Sequence, residues 1–426
     1  MFVGNRNPLI VIIAAAFLSG IAGLGCHAGK NRPIPFTPPL AEALAPIDDP
    51  CDASAVPPSM TMANTPNCGP YDLAASDSCP MRKPKNIVAF SSGGAYGAYS
   101  AGFMDGWTKS GTRPEFDVVT GISTGSLIAP FAFLGPEYDA RMAQLYTKTQ
   151  PSDIFRVRTW VLIPFKDSLA TSQPLRNLIE SQITTELMTR IATEHRKGRR
   201  LYVGTTNLDT RRMVVWDMGA IACRPCPEGC RLFRDVLLAS CSVPGMLPPV
   251  KFDLEVDGKH VTELHVDGAA TAQLFVPSHV FALASAGIAG DASNATNAET
   301  GNLYAIVAGK LYPDAEPVRA KVLPVLGATT SALIYAYCRA DLSNLYGMSR
   351  ASGLRYHLTA LRPGFPTLET SVSFEPKALQ LLFQEGVAQG SSGPAWKSGP
   401  PTLSPGDGDY IRNGVRLRTV PTLNRE

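Results

Sequence analysis

The stretch Gly121-Ile122-Ser123-Thr124-Gly125 follows the apolar run Phe116-Asp117-Val118-Val119-Thr120 and precedes a helix-compatible run from Leu127 to Leu134. That order predicts a strand, a sharp turn and a helix. A serine at such an elbow presents its hydroxyl at the end of a sheet, and the flanking glycines Gly121 and Gly125 let the backbone turn without Cβ clashes. Ser123 is therefore a candidate nucleophile. The same five-residue pattern also describes ordinary turns, so the surrounding sequence has to decide.

About thirty residues upstream, a second glycine-rich turn follows the short apolar run Ile87-Val88-Ala89-Phe90 and reads Ser91-Ser92-Gly93-Gly94-Ala95-Tyr96-Gly97. It too predicts strand, glycine loop and helix. Such a loop offers backbone N–H groups beside a helix N-terminus, which suits a phosphate or the oxyanion of a tetrahedral intermediate. The P-loop ending Gly-Lys-Ser/Thr is absent, and Gly93 and Gly94 are adjacent, out of register with the dinucleotide fingerprint. A tight, closely packed connection and an oxyanion hole serving Ser123 are the two readings left.

Downstream, Leu264-His265-Val266-Asp267-Gly268-Ala269-Ala270 places a carboxylate at the end of an apolar segment. Asp267 either reaches the serine elbow from a neighbouring strand or only turns the chain. Asp257-Gly258, within the alternating stretch Phe252 to Val261, predicts a hairpin turn. An EF-hand over Asp253, Glu255 and Asp257 fails because its twelfth position is Leu264.

Together these elements resemble the patatin-like phospholipase family, whose motifs are a glycine-rich oxyanion loop, a Gly-x-Ser-x-Gly elbow and an Asp-Gly-Ala/Gly acid. Ala239-Ser240-Cys241-Ser242-Val243-Pro244 through Pro248-Pro249 is similar to the block that precedes the acid in that family, and Thr205-Thr206-Asn207-Leu208-Asp209-Thr210 to its central strand end. The resemblance spans about residues 85 to 275. It implies Ser123 as nucleophile and Asp267 as its partner, with Gly93, Gly94, Ala95 and Gly97 in the oxyanion loop and no cofactor or metal. It also implies cleavage of a phospholipid or other acyl-ester lipid through an acyl-enzyme. Two positions depart from the pattern: Ser92 stands at the usual first glycine and Tyr96 at the usual Arg or Lys. A free aspartic acid ionises near ~3.9 and is a weak base toward serine, so burial would have to raise it.

A Ser-His-Asp α/β-hydrolase remains open, since Ser123, Asp267 and then His279 or His357 follow its chain order. Against it, the glycine loop lacks the histidine common in lipase oxyanion motifs. His265, two residues before Asp267, is expected beside the site. A non-catalytic envelope lipoprotein that keeps the fold for binding is the third reading, motivated by Ser92 and Tyr96.

The pattern of elements predicts an α/β fold, a three-layer α/β/α sandwich with a mostly parallel central sheet and the site at strand C-terminal ends. A chain of 426 residues, 45% hydrophobic, can bury a large core in one main domain. Its net charge of +3 gives no basis for nucleic-acid binding. Arg196-Lys197-Gly198-Arg199-Arg200 is expected as a solvated helix end. Bulky residues across 151–175, including Ile154, Phe155 and Trp160 to Phe165, suit an acyl-chain groove, a flap or plain core.

Arg6 and the apolar run Leu9 to Leu24 read as a secretory signal over residues 1–25, ending before Cys26, which fits a lipoprotein acylation site imperfectly because Gly23 replaces the usual leucine. A cleaved soluble signal and a retained anchor are the alternatives. Export to the cell envelope, with membrane association through this N-terminus, is the expectation. Eight further cysteines are compatible with up to four disulfides, one of them pinning the loop Cys223 to Cys230 in preference to zinc. Residues 26–84 read as a Pro/Ala-rich tether and cysteine-containing cap, 85–387 as the acyl hydrolase domain and 388–426 as a Gly/Ser/Pro-rich tail.

Overall fold

The computed structural model describes residues 61–62 and 79–401, apart from 160–165, 225–226, 257–258, 287–300, 367 and 369–370. Its strands are β1 (Thr61–Met62), β2 (Asn86–Phe90), β3 (Val118–Ile122), β4 (Arg156–Val157), β5 (Ala170–Thr171), β6 (Arg200–Asn207), β7 (Arg212–Asp217), β8 (Val250–Val256), β9 (Lys259–Asp267), β10 (Gly301–Val307) and β11 (Leu354–Ala360). Among the described residues the main sheet runs β1-β8-β9-β6-β3-β2-β10-β11, with β7 also on β6, and β4 and β5 form a separate ribbon. From β11 to β6 every pairing is parallel. The β6, β7, β8 and β9 end is antiparallel.

The parallel strands are short apolar runs because helices cover both of their faces. Successive residues alternate between the two layers: Val88 and Phe90 point into one core with Val119, while Ile87 and Ala89 point into the other with Val118 and Ile122. The first core lies under helices Gly97–Lys109, Thr124–Leu134, Thr185–Arg196 and Pro227–Ser240. The second lies under Ser278–Ser285 and the C-terminal half of Val322–Ala351. This is the expected three-layer sandwich. The hairpin around Asp257-Gly258 is closed by the pair Val256↔Lys259.

Several sequence expectations change. Arg199 and Arg200 are buried, not solvated, because their guanidinium groups donate to carbonyls that the core would otherwise leave unpaired. Arg199 Nε donates to Phe116 O at 2.7 Å and also reaches Phe133 O, while Arg200 Nη1 donates to Arg199 O at 2.9 Å. The helix Pro376–Ser391 runs past residue 388, and Trp396 packs its ring 4.9 Å from Trp107 and 5.2 Å from Phe103. Residues up to Lys397 thus belong to the folded body, because the helix and a tryptophan bury apolar surface where composition suggested a tail. Cys79, Cys223, Cys230, Cys241 and Cys338 are not joined in disulfides. Cys241 and Cys338 are instead buried as small apolar side chains. Cys26, Cys51, Cys68 and Cys226 lie outside the described residues, as do the signal, the tether apart from residues 61–62 and 79–84, and Trp160 to Phe165.

Candidate active site

Strand β6 decides the geometry. Along one edge it carries β7, paired from Tyr202 to Asn207. Its other edge is shared end to end: β3 runs parallel to it as far as Ile122↔Gly204, and β9 runs antiparallel from Asn207↔His265 to Thr205↔Asp267. The residue after Ile122 and the last residue of β9 therefore meet head to head at the junction. Those residues are Ser123 and Asp267, and the serine side chain lies within reach of the carboxylate.

The elbow holds Ser123 at φ 54° and ψ −125°, as N-cap of the helix Thr124–Leu134. A non-glycine residue with positive φ is costly and persists only where the surroundings fix it. Here the Ser240 hydroxyl clamps the turn, accepting from Ser123 N–H at 3.0 Å and donating to Gly204 O at 2.8 Å. The elbow glycines are required by close approach: a Cβ on Gly121 would stand 2.4 Å from Gly125 O, and one on Gly125 would stand 2.6 Å from Phe90 O. Ser240 belongs to the block of small residues singled out in the sequence, but its role was not legible there.

Asp267 is buried, and burial pushes its carboxyl up to about 7 despite hydrogen bonds from Ser123 and the Ala269 N–H. Desolvation disfavours the charged form. The Ala269 N–H lies 2.8 Å from Asp267 Oδ1, and the Asp267 N–H donates to Ser242 O at 2.9 Å. Cys241 Sγ, 3.3 Å from Ser123 O, is a third buried neighbour whose thiol burial pushes well up.

Above the elbow, the glycine loop divides its amides. Ala95 N–H donates to Ser371 O at 2.7 Å, and Gly97 N–H turns back to Gly94 O and Ala95 O. Among the described residues the Gly93 and Gly94 amides meet no acceptor. Gly94 sits at φ +57°, and a Cβ there would lie 2.2 Å from Ser371 O. The two departures from the family pattern each have a partner: the Ser92 hydroxyl donates to Gln273 Oε1, its N–H donates to Gln273 O at 2.8 Å, and the Tyr96 hydroxyl accepts from Leu368 N–H at 3.0 Å. Tyr96 thereby ties the loop to the segment around residues 368–374 through hydrogen bonding, where a cation would have done so through charge.

His265, His279 and His357 have other partners. His265 is fully buried, with Nδ1 2.9 Å from Thr205 Oγ1 and Nε2 2.9 Å from Glu263 Oε2. Trp216 Nε1 donates to the same Thr205 hydroxyl at 2.8 Å, so the ring belongs to a structural network beside the acid. His279 Nε2 meets the Tyr202 hydroxyl at 3.0 Å, and His357 Nε2 meets Asn302 Oδ1 at 3.1 Å across the sheet. None of these ring nitrogens has the Asp267 carboxylate or Ser123 as its partner.

Ser123, Thr124 and Gly94 open onto an apolar cavity of about 120 Å³, far more than the ~10–15 Å³ that one water needs. Its walls include Phe131, Ile154, Phe155, Leu237, Met246 and Phe374. Ile154, Phe155 and Leu175 come from the bulky segment picked out in the sequence. Such a cavity accepts a hydrocarbon chain and holds no charged group that would recognise a polar one.

The sequence model of patatin-like phospholipases matches residues 88–278, which contain both Ser123 and Asp267. Among solved structures, the crystal structure of VipD from Legionella pneumophila is similar, at 12% identity and a TM-score of 0.37, over 73% of this chain and 66% of that one. No curated protein sequence matches the chain.

Proposed function

We propose, from the premise that residues 88–278 belong to the patatin-like phospholipase family, that this chain is a serine acyl hydrolase whose nucleophile is Ser123 and whose base is Asp267. The family supports lipid acyl hydrolysis in general. The observation that carries the finer reading is that Ser123 and a buried carboxylate raised to about 7 meet head to head on β6. A base poised near operating pH takes a serine proton far more readily than one ionising near ~3.9.

Ser123 Oγ attacks the acyl carbonyl carbon while its proton passes to Asp267. The carbonyl oxygen becomes an oxyanion facing the Gly93 and Gly94 amides and the N-terminus of the helix Thr124–Leu134. Collapse of the tetrahedral intermediate breaks the ester bond, and Asp267 returns the proton to the leaving alcohol. Water then attacks the acyl-enzyme, Asp267 again taking a proton, and the fatty acid leaves with Ser123 restored. The acyl chain lies in the apolar cavity. Phospholipid or another acyl-ester lipid is the substrate class, and the N-terminal sequence supports export to the cell envelope with Cys26 as lipid anchor.

The test is labelling by a fluorophosphonate that phosphonylates activated serines. Folded wild-type protein is expected to label, Ser123→Ala not at all and Asp267→Asn at a rate lower by a factor of roughly a thousand or more. Absence of labelling in folded wild-type protein would replace the enzyme with a non-catalytic envelope lipoprotein. Mass spectrometry of the mature N-terminus tests acylation of Cys26.

A further inference from the structure

The helix Val322–Ala351 is anchored only by its second half. Cys338, Leu342, Leu345 and Ser349 are its buried residues, and no residue from Val322 to Tyr337 is buried. Yet that exposed half is apolar: Val322, Leu323, Val325, Leu333, Ile334 and Tyr337 are 42–73% exposed. At about 100° per residue, all of these except Val325 fall within one arc of roughly 120°. The buried residues of the second half fall on the adjoining arc, so the exposed stripe is a separate face and not core surface continued.

Charge is equally one-sided. Between Glu316 and Asp341 the only ionisable acid-base residues other than tyrosines and Cys338 are Arg319, Lys321 and Arg339, all cationic. Arg339 is turned inward, donating to Leu311 O and covering the Tyr312 ring, whereas Arg319 and Lys321 are exposed at the helix start. The opposite side of the same helix adjoins the site. Tyr335 lies close enough to Tyr96 for the two phenols to interact, and Tyr96 bonds the segment whose Val372 and Phe374 wall the cavity.

We propose that the exposed stripe of residues 322–337, with Arg319 and Lys321, is the surface on which this protein lies against an anionic lipid interface. The choice of a lipid surface over a protein rests on the proposed acyl hydrolase function and on charge complementarity. No described helix is long and apolar enough to cross a membrane, and this face, roughly 24 Å long at ~1.5 Å per residue, lies in the interface plane. A cation pair at one end meets phosphate headgroups while the aliphatic side chains enter the acyl boundary.

Hydrogen exchange of the full chain tests this, using Ser123→Ala so that vesicles stay intact. Vesicles of phosphatidylcholine with phosphatidylglycerol are expected to slow exchange in 322–337 by about fivefold or more, and vesicles of phosphatidylcholine alone by less. Leu323→Glu/Ile334→Glu, placed at exposed positions, abolishes that protection; in the active background it cuts hydrolysis of vesicle phospholipid about tenfold while sparing a soluble p-nitrophenyl ester. Unchanged exchange in 322–337 on vesicle-bound protein overturns the proposal. So does protection present without vesicles, which assigns the face to another segment of the chain, or growing with protein concentration, which assigns it to a second copy. If the helix is protected but no ester is hydrolysed by wild-type protein, the acyl hydrolase reading fails and the lipid surface stands.

Discussion

Replacing Asp267 with Asn is expected to destroy activity and yet stabilise the fold, by an amount that depends on pH. The folded carboxyl keeps its proton up to about pH 7 because it is buried, whereas the unfolded one loses it near ~3.9. Between those values the folded state binds more protons, so wild-type stability falls as pH rises and levels off above about 7. About three units at ~1.36 kcal/mol each give a penalty near 4 kcal/mol at pH 8 and almost none at pH 4. Asn is isosteric, still accepts from Ala269 N–H, and does not titrate. The difference in unfolding free energy, Asp267→Asn minus wild type, should therefore increase by about 4 kcal/mol between pH 4 and 8. Urea unfolding of both proteins across that range measures it, each pair of curves at one pH cancelling effects common to both. Wild-type kcat/KM should rise over the same interval and level off above about pH 7, since the base is active only when ionised. A stability difference that stays flat within about 1 kcal/mol would refute the assignment of a desolvated carboxylate.

Ser240→Ala removes the clamp on the elbow and leaves the Ser123 amide unpaired; kcat should fall roughly ten- to a hundredfold with KM little changed, and Ser240→Thr should restore part of it. His265→Ala should lose about 3–5 kcal/mol of stability by stranding buried Glu263, while the folded variant retains kcat within about tenfold; a loss of several orders of magnitude would revive the triad. Tyr96→Phe, which strands the Leu368 amide, should cost about 1–3 kcal/mol in urea unfolding and reduce kcat by loosening the glycine loop. Leu145→Trp, at a half-buried cavity wall, should lower hydrolysis of long-chain p-nitrophenyl esters about tenfold while leaving the acetyl ester nearly unaffected.

What the sequence made legible and what it hid separate along one physical line. Local chain chemistry was readable: Gly121 and Gly125 sit where no Cβ fits, the apolar runs of β2 and β3 are strands buried on both faces, and the strands on either side of Asp257-Gly258 pair antiparallel up to Val256↔Lys259. Partnership at a distance was not. Nothing within the chain around residue 240 announces that its hydroxyl spans Ser123 and Gly204, and nothing near Ser92 or Tyr96 announces Gln273 or Leu368. Arg199 and Arg200 illustrate the same limit, since a basic cluster shows its charge in sequence but not the carbonyls it satisfies. Composition also misplaced the end of the folded body, because one tryptophan in a Gly/Ser/Pro-rich stretch is enough to close an aromatic cluster.

In the proposed reaction, the junction on β6 is what would let an aspartate serve without a histidine. A relay through imidazole bridges a serine and an acid held several ångströms apart. Here a parallel strand and an antiparallel strand end against each other on one edge, at Ile122↔Gly204 and Thr205↔Asp267, so hydroxyl and carboxylate are already within reach of each other. Directness removes the need for a relay but leaves an acid that would be too weak a base in water. The same junction corrects that, because it lies within the sheet, under helix Pro227–Ser240, where the carboxylate loses its solvent. Position and basicity thus come from one structural fact, and the stability lost to a buried charge is the consequence that the pH dependence of folding should reveal.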